Sequence, residues 1–114
     1  MLNYAIVVFI VTAIGGLVLA SKVLSGRLAS WFLSIIHAIL GASGLGILIT
    51  IVINGQGSES ITAALALLIV AALGGFILAS YHVREKLPPK ATVIIHAGVA
   101  LAGFLTLLSF ALGA

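Results

Sequence analysis

The sequence predicts an all-α membrane bundle of four helices built from two tandem parallel helical hairpins. Three observations predict it. The chain of 114 residues is 63% hydrophobic and only 6% charged, whereas soluble domains average about 25% charged. Four apolar stretches, at roughly 3–24, 29–53, 60–81 and 89–112, each reach the roughly 20 residues a helix needs to cross the hydrocarbon layer. And residues 13–49 overlie residues 72–108 without a gap.

Each element has its own justification. In lipid, backbone polar groups must be satisfied within the segment, which leaves helices or closed barrels; runs this continuous lack the alternation of barrel strands. Helix 1 is expected from Asn3 or Tyr4 to Leu24, with Ser25-Gly26 as its stop because Gly26 is free to take a left-handed backbone. Its apolar run begins at once and lacks a basic leader, so it reads as a membrane helix rather than a cleaved signal. Ser30 suits the N-cap of helix 2, Trp31 a headgroup-level anchor, and Asn54-Gly55 the end. Ser58 or Ser60 is expected to cap helix 3, which reaches Tyr81 or Arg84. Pro88 and Pro89 suit the first turn of helix 4, where a missing N–H costs nothing. The whole chain, 1–114, reads as one membrane domain, with repeat 1 at about 1–55 and repeat 2 at about 60–114.

The net charge of +3 matters through its placement. Lys22 and Arg27 flank the first connection and Arg84, Lys86 and Lys90 the third, while the middle loop carries only Glu59. The positive-inside rule then puts the basic loops in the cytoplasm and both termini outside. A bacterial or archaeal cytoplasmic membrane is the expected location, with the lipid bilayer as the first partner. Cysteine is absent, which excludes disulfides, thiolate metal sites and iron–sulfur clusters. No hydrophilic stretch is long enough to bind nucleic acid. No nucleophile–base pair, phosphate loop or carboxylate pair marks a stand-alone enzyme.

The repeat carries the candidate site. At a constant offset of 59 residues, the separation of His37 and His96, Gly15, Gly16, Leu19, Ala20 and Ser21 fall on Gly74, Gly75, Leu78, Ala79 and Ser80. Ile36, His37, Ala38 and Gly44 fall on Ile95, His96, Ala97 and Gly103. A hairpin returns the chain to its starting side, so the copies are parallel and related by an axis along the membrane normal. An ionisable residue inside a membrane is expensive and points to function; a duplicated histidine points to a pair acting together. Counting from the basic loops at 1.5 Å per residue, Gly16, His37, Gly75 and His96 share one layer roughly 12–15 Å below the cytoplasmic surface.

The histidine faces are small. Ser34, Gly41 and Gly44 share the face of His37, and Val93, Ala100 and Gly103 that of His96. Helix 1 offers Thr12, Ala13, Gly16 and Ala20, and helix 3 Ala71, Ala72, Gly75 and Ala79. Small residues either let helices touch or leave room for something flat and bulky. Two imidazoles at one depth among them suit axial ligation of one haem b iron per chain, with His37 and His96 as metal ligands. Gly16 and Gly75 would let the backbone approach the macrocycle, while Gly41, Gly44 and Gly103 serve as wall or helix-packing positions. Arg27 and Lys86, repeat equivalents, are expected partners for the propionates, with Arg84 and Lys90 as further choices. Ser34 or Thr92 would orient an imidazole N–H or bond its own helix backbone. His82, whose counterpart is Val23, reads mainly as a solvated or headgroup-facing residue. A redox or proton role is the lesser reading of His82. For His37 and His96 the competing readings are structural histidines bonded to a Ser, a Thr or a backbone carbonyl, then a proton relay, transport, a non-haem metal or a quinone contact; two imidazoles without a carboxylate make a weak cage for zinc.

On the paired intramembrane histidines and the repeated Gly-Gly-x-x-Leu-Ala-Ser and Ile-His-Ala, the chain resembles four-helix membrane cytochromes of the b type. It departs from the di-haem members, which carry two ligand pairs at different depths. The resemblance implies electron transfer, as a carrier or as the anchor subunit of a redox complex, with a quinone or a redox protein as partner and either a homo- or a hetero-oligomer as its assembly. Two other readings compete. A cofactor-free structural subunit would use the glycine faces for packing. A small proton-coupled transporter, similar in size to small multidrug-resistance carriers, lacks the carboxylate those need in their first helix.

Overall fold

The computed structural model describes residues 1–113. Four antiparallel helices form a bundle of 42 × 22 × 19 Å: α1 Leu2–Leu24, α2 Trp31–Ile53, α3 Glu59–Val83 and α4 Lys90–Ala111. All four are long and apolar enough to cross a membrane. At 1.5 Å per residue each is roughly 33–38 Å long, enough for a hydrocarbon layer of about 30 Å. Large apolar side chains such as Phe32, Ile53 and Phe76 point outward, where in water they would be a liability and in lipid they are solvated.

The helix ends follow from local chemistry. The Ser30 hydroxyl accepts from Leu33 N–H at 3.2 Å, and the Ser58 hydroxyl from Ile61 N–H at 3.1 Å. Ser60 lies inside α3, and Glu59 in its first turn meets the positive end of the helix dipole. At the other end of α1, Gly26 N–H donates to Val23 O and Arg27 N–H to Lys22 O. This paired closure needs a left-handed residue, and Gly26 takes φ +87°. The same pair of bonds closes α2 at Gly55 and α3 at Glu85. Glu85 therefore holds φ +55°, the one non-glycine residue at positive φ among the described residues. Pro88 and Pro89 stand before α4 rather than in its first turn, Pro89 taking the N-cap; proline disfavours helical geometry in the residue preceding it.

Packing divides the bundle along its length. In the half nearer the termini, Ala5, Phe9, Leu48, Ile51, Ile61, Ala64, Leu65, Leu68 and Leu107 form one buried cluster, with Leu48 and Leu107 wholly buried. Gly44 and Gly103 belong to this half: a Cβ on Gly44 would stand 2.6 Å from the Phe9 ring, and one on Gly103 2.8 Å from Leu68. They are packing positions, filled by a neighbour. Over the whole bundle α1 packs on α2 and α3 on α4, the lateral pairs α2–α3 and α1–α4 touch less, and the backbones of the diagonal pairs stay apart. Toward the basic loops the bundle is hollow. The cause is composition: this half is lined by glycine and alanine, which cannot fill the space between four helices.

Candidate functional site

The hollow half holds a cavity of about 910 Å³, within the range of roughly 300–1,000 Å³ usual for small-molecule sites. Thr12, Ala13, Gly16 and Ala20 of α1 line it, and so do Ala71, Ala72, Gly75 and Ala79 of α3. Ser34, His37 and Gly41 come from α2, and Val93, His96 and Ala100 from α4. Leu17, Ile35, Phe76 and Ile94 line the cavity and are exposed.

His37 and His96 reach toward each other across the diagonal. Their ring centres are 6.4 Å apart and their planes nearly perpendicular, at 78°. His37 Nδ1 lies 2.9 Å from Thr12 O, and His96 Nδ1 2.7 Å from Ala71 O. A carbonyl oxygen only accepts, so each Nδ1 carries the proton and donates it. Each Nε2 is then left with its lone pair. Among the described residues, no protein hydrogen bond engages either Nε2. Both rings are half-buried.

The glycines fix where the rings can sit. A Cβ on Gly16 would stand 2.8 Å from His37 Cε1 and 3.6 Å from its Nε2; one on Gly75 would stand 3.3 Å from His96 Cε1. Neither position accepts a larger side chain without moving a histidine. Gly41 also borders the cavity, with Thr12 Cγ2 at 3.7 Å from its would-be Cβ. Arg27 and Lys86 are exposed in the two basic connections and form no part of the cavity wall.

The orienting groups are the backbone carbonyls of the structural-histidine reading, not the hydroxyls expected beside an iron ligand. The imidazole N–H groups are held by main-chain carbonyls of α1 and α3, rather than by Ser34 or Thr92. Thr92 borders a separate recess of about 370 Å³ on the α3–α4 pair. Ser34 instead meets His82 Nδ1 through its hydroxyl at 3.2 Å. His82 is half-exposed at the end of α3, and its ring stacks on Trp31, centres 3.8 Å apart and planes within 8°, on the cavity wall. Neither the carbonyl acceptors nor the Trp31–His82 stack has a sequence signal, because backbone groups are everywhere and a pair 51 positions apart is brought together only by the α2–α3 contact.

No protein-family model matches the chain, and neither a curated protein nor a solved structure matches it. The function rests on the site alone.

Proposed function

We propose that this chain is a membrane-embedded b-type cytochrome with one haem, which His37 and His96 would hold by ligating its iron. The observation that carries this reading is the pairing of the two rings: their centres stand 6.4 Å apart, and each Nε2, about 2 Å from a metal in such ligation, is without a protein hydrogen bond among the described residues. The ligand number fits too. Among the described residues no group of three or more His, Cys, Asp and Glu could hold a bare ion, but haem iron asks the protein only for axial ligands.

When bound, the haem supplies a reversible one-electron change at iron. The chain's own residues do the rest. Donation of Nδ1–H to Thr12 O and Ala71 O fixes the tautomer, aims the ring and raises the basicity of Nε2. Gly16 and Gly75 keep the space beside each imidazole free of side chains. Apolar walls exclude water and so tune the potential through burial.

Duplication of a hairpin accounts for the matched contacts. The partners Thr12–His37 and Ala71–His96, Phe9–Gly44 and Leu68–Gly103, and Gly16–His37 and Gly75–His96 are each related by the offset of 59. On this reading the hairpins are parallel repeats, with basic loops in the cytoplasm and termini outside. One haem cannot carry electrons across the whole bilayer, so a quinone or a redox protein completes the route. The protein then serves as a carrier or as an anchor subunit.

The test is an absorption spectrum of the reduced protein in detergent, followed by a pyridine haemochrome assay. A Soret band at about one haem per chain is expected, lost or strongly altered in His37→Ala and in His96→Ala. Colourless parent protein, or both variants keeping the parent's spectrum and haem content, would refute the assignment.

A further inference from the structure

A second hollow lies on the α3–α4 pair. This recess of about 370 Å³ is walled by Val70, Leu73 and Ile77 of α3 and by Thr92, Ile95 and Val99 of α4. Val70, Leu73, Ile77 and Ile95 are also exposed, so these walls meet lipid when the chain spans a membrane. Thr92 brings the one hydroxyl. His96 borders both the recess and the cavity, and its Nδ1–H is committed to Ala71 O. Walls of this kind solvate a hydrocarbon chain and offer little to a polar ligand.

Comparison with the first hairpin shows why the recess exists. Thr92 occupies the place that Leu33 takes at the offset of 59. Leu33 reaches to 3.9 Å from the would-be Cβ of Gly15, whereas at the matching Gly74 the three nearest atoms all belong to His96. A leucine covers the groove of one hairpin, and the shorter threonine leaves it open in the other.

A cation stands at the end of the recess. The α3 face that carries Val70, Leu73 and Ile77 continues, in steps of three and four residues, to Ser80, Tyr81 and Arg84. Arg84 folds back along α3 toward the recess. Its Nε–H donates to Ser80 O at 3.1 Å and its Nη2 to Ser80 Oγ at 3.4 Å, and the guanidinium lies 4.6 Å over the Tyr81 ring. The charge is thus held about one turn, roughly 5 Å, beyond Ile77, with further N–H groups for an anion. Lys86 and Lys90 lie in the adjoining connection, and this end of the chain carries all 5 basic residues against Glu85 alone.

We propose that the α3–α4 recess takes one acyl chain of an anionic phospholipid and that Arg84 holds its phosphate. A guanidinium matches phosphate oxygens in pairs, and one already tied to Ser80 loses less freedom on binding. A zwitterionic lipid brings the same chain but no net charge, so attraction to the cation separates the two. The recess fills in this way whether or not the cavity holds a haem.

Photolabelling of the full chain in phosphatidylcholine vesicles tests this. The probe is a trace of phosphatidylglycerol with a photoreactive acyl chain, and phosphatidylcholine with the same chain is the comparison. The readout, by peptide mass spectrometry, is labelling of the recess residues relative to the matching α1–α2 face. That face has its own cation, Lys22, one turn beyond Val18, so general attraction to the basic end raises both faces together. The ratio should be roughly 5-fold higher with phosphatidylglycerol than with phosphatidylcholine, the factor one cation near a membrane surface supplies. Arg84→Gln should bring it down to the phosphatidylcholine value; Arg84 is exposed, so the bundle keeps its packing. Thr92→Leu should lower the ratio with both probes, and Arg27→Gln, which removes a cation from the other connection, should not lower it. Equal ratios with the two probes, an equal fall in Arg27→Gln and Arg84→Gln, or the parent's ratio in Thr92→Leu overturns the site.

Discussion

Alanine at Gly16 and alanine at Gly75 are chemically identical changes at matched positions, yet the structure assigns them different outcomes. At Gly16 the new Cβ would stand 2.8 Å from His37 Cε1, and ordinary contact begins near 3.4 Å, so the ring must retreat by roughly 0.6 Å. That ring is tied through Nδ1–H to Thr12 O at 2.9 Å, so retreat either lengthens the bond or turns the imidazole. Overpacking of this kind costs about 1–3 kcal/mol of bundle stability, and on the proposed haem reading a displaced ring also weakens the hold on the haem. At Gly75 the contact is 3.3 Å, and a shift of about 0.1 Å restores ordinary spacing, for a cost expected below about 1 kcal/mol. Helix propensity acts the other way at both sites, because alanine replaces glycine inside a helix and favours it by up to about 1 kcal/mol. Gly16→Ala should therefore, on the proposed haem reading, lose haem affinity, and it should also lose some apoprotein stability, because the clash with His37 outweighs the gain in helix propensity. Haem titration followed at the Soret band measures the first, and thermal unfolding of the apoprotein in detergent the second. Equal affinities in the two variants, or a larger loss at Gly75, would refute the reasoning from ring clearance.

Three further outcomes follow from the same contacts. Gly44→Ala forces a Cβ to 2.6 Å from the Phe9 ring and should destabilise the bundle by about 1–3 kcal/mol; Phe9→Ala in the same chain should recover part of the loss, a non-additivity read from a double-mutant cycle in detergent unfolding. Glu85→Gly relieves a left-handed backbone and should raise stability by about 1 kcal/mol, seen as a higher unfolding midpoint with an unchanged haem spectrum. Thr12→Ala should leave the spectrum and haem affinity as in the parent, because His37 is held by the Thr12 carbonyl while its hydroxyl bonds Val8 O; a large spectral shift would place the orienting role on the side chain instead.

The sequence by itself determined four helices long and apolar enough to cross a membrane, and most of their ends to within a residue or two. Continuous apolar runs, Ser30 and Ser58 before their helices, and glycine at the close of α1 and α2 act over a few residues each, so they can be read without a partner in view. It also singled out His37 and His96 and the small residues around them, because a polar ring in an apolar run and an ungapped offset of 59 are visible in one dimension. It could not tell a glycine that borders space from one that is filled. Gly16 and Gly44 look alike along the chain, yet His37 stands beside the first with a cavity beyond, and Phe9 closes over the second. Tertiary structure alone decided that, along with the carbonyls that hold the imidazoles and the Trp31–His82 stack. Each of these depends on which helices lie side by side and how far apart they stand, and in this bundle that distance is set by the sizes of facing side chains on different helices.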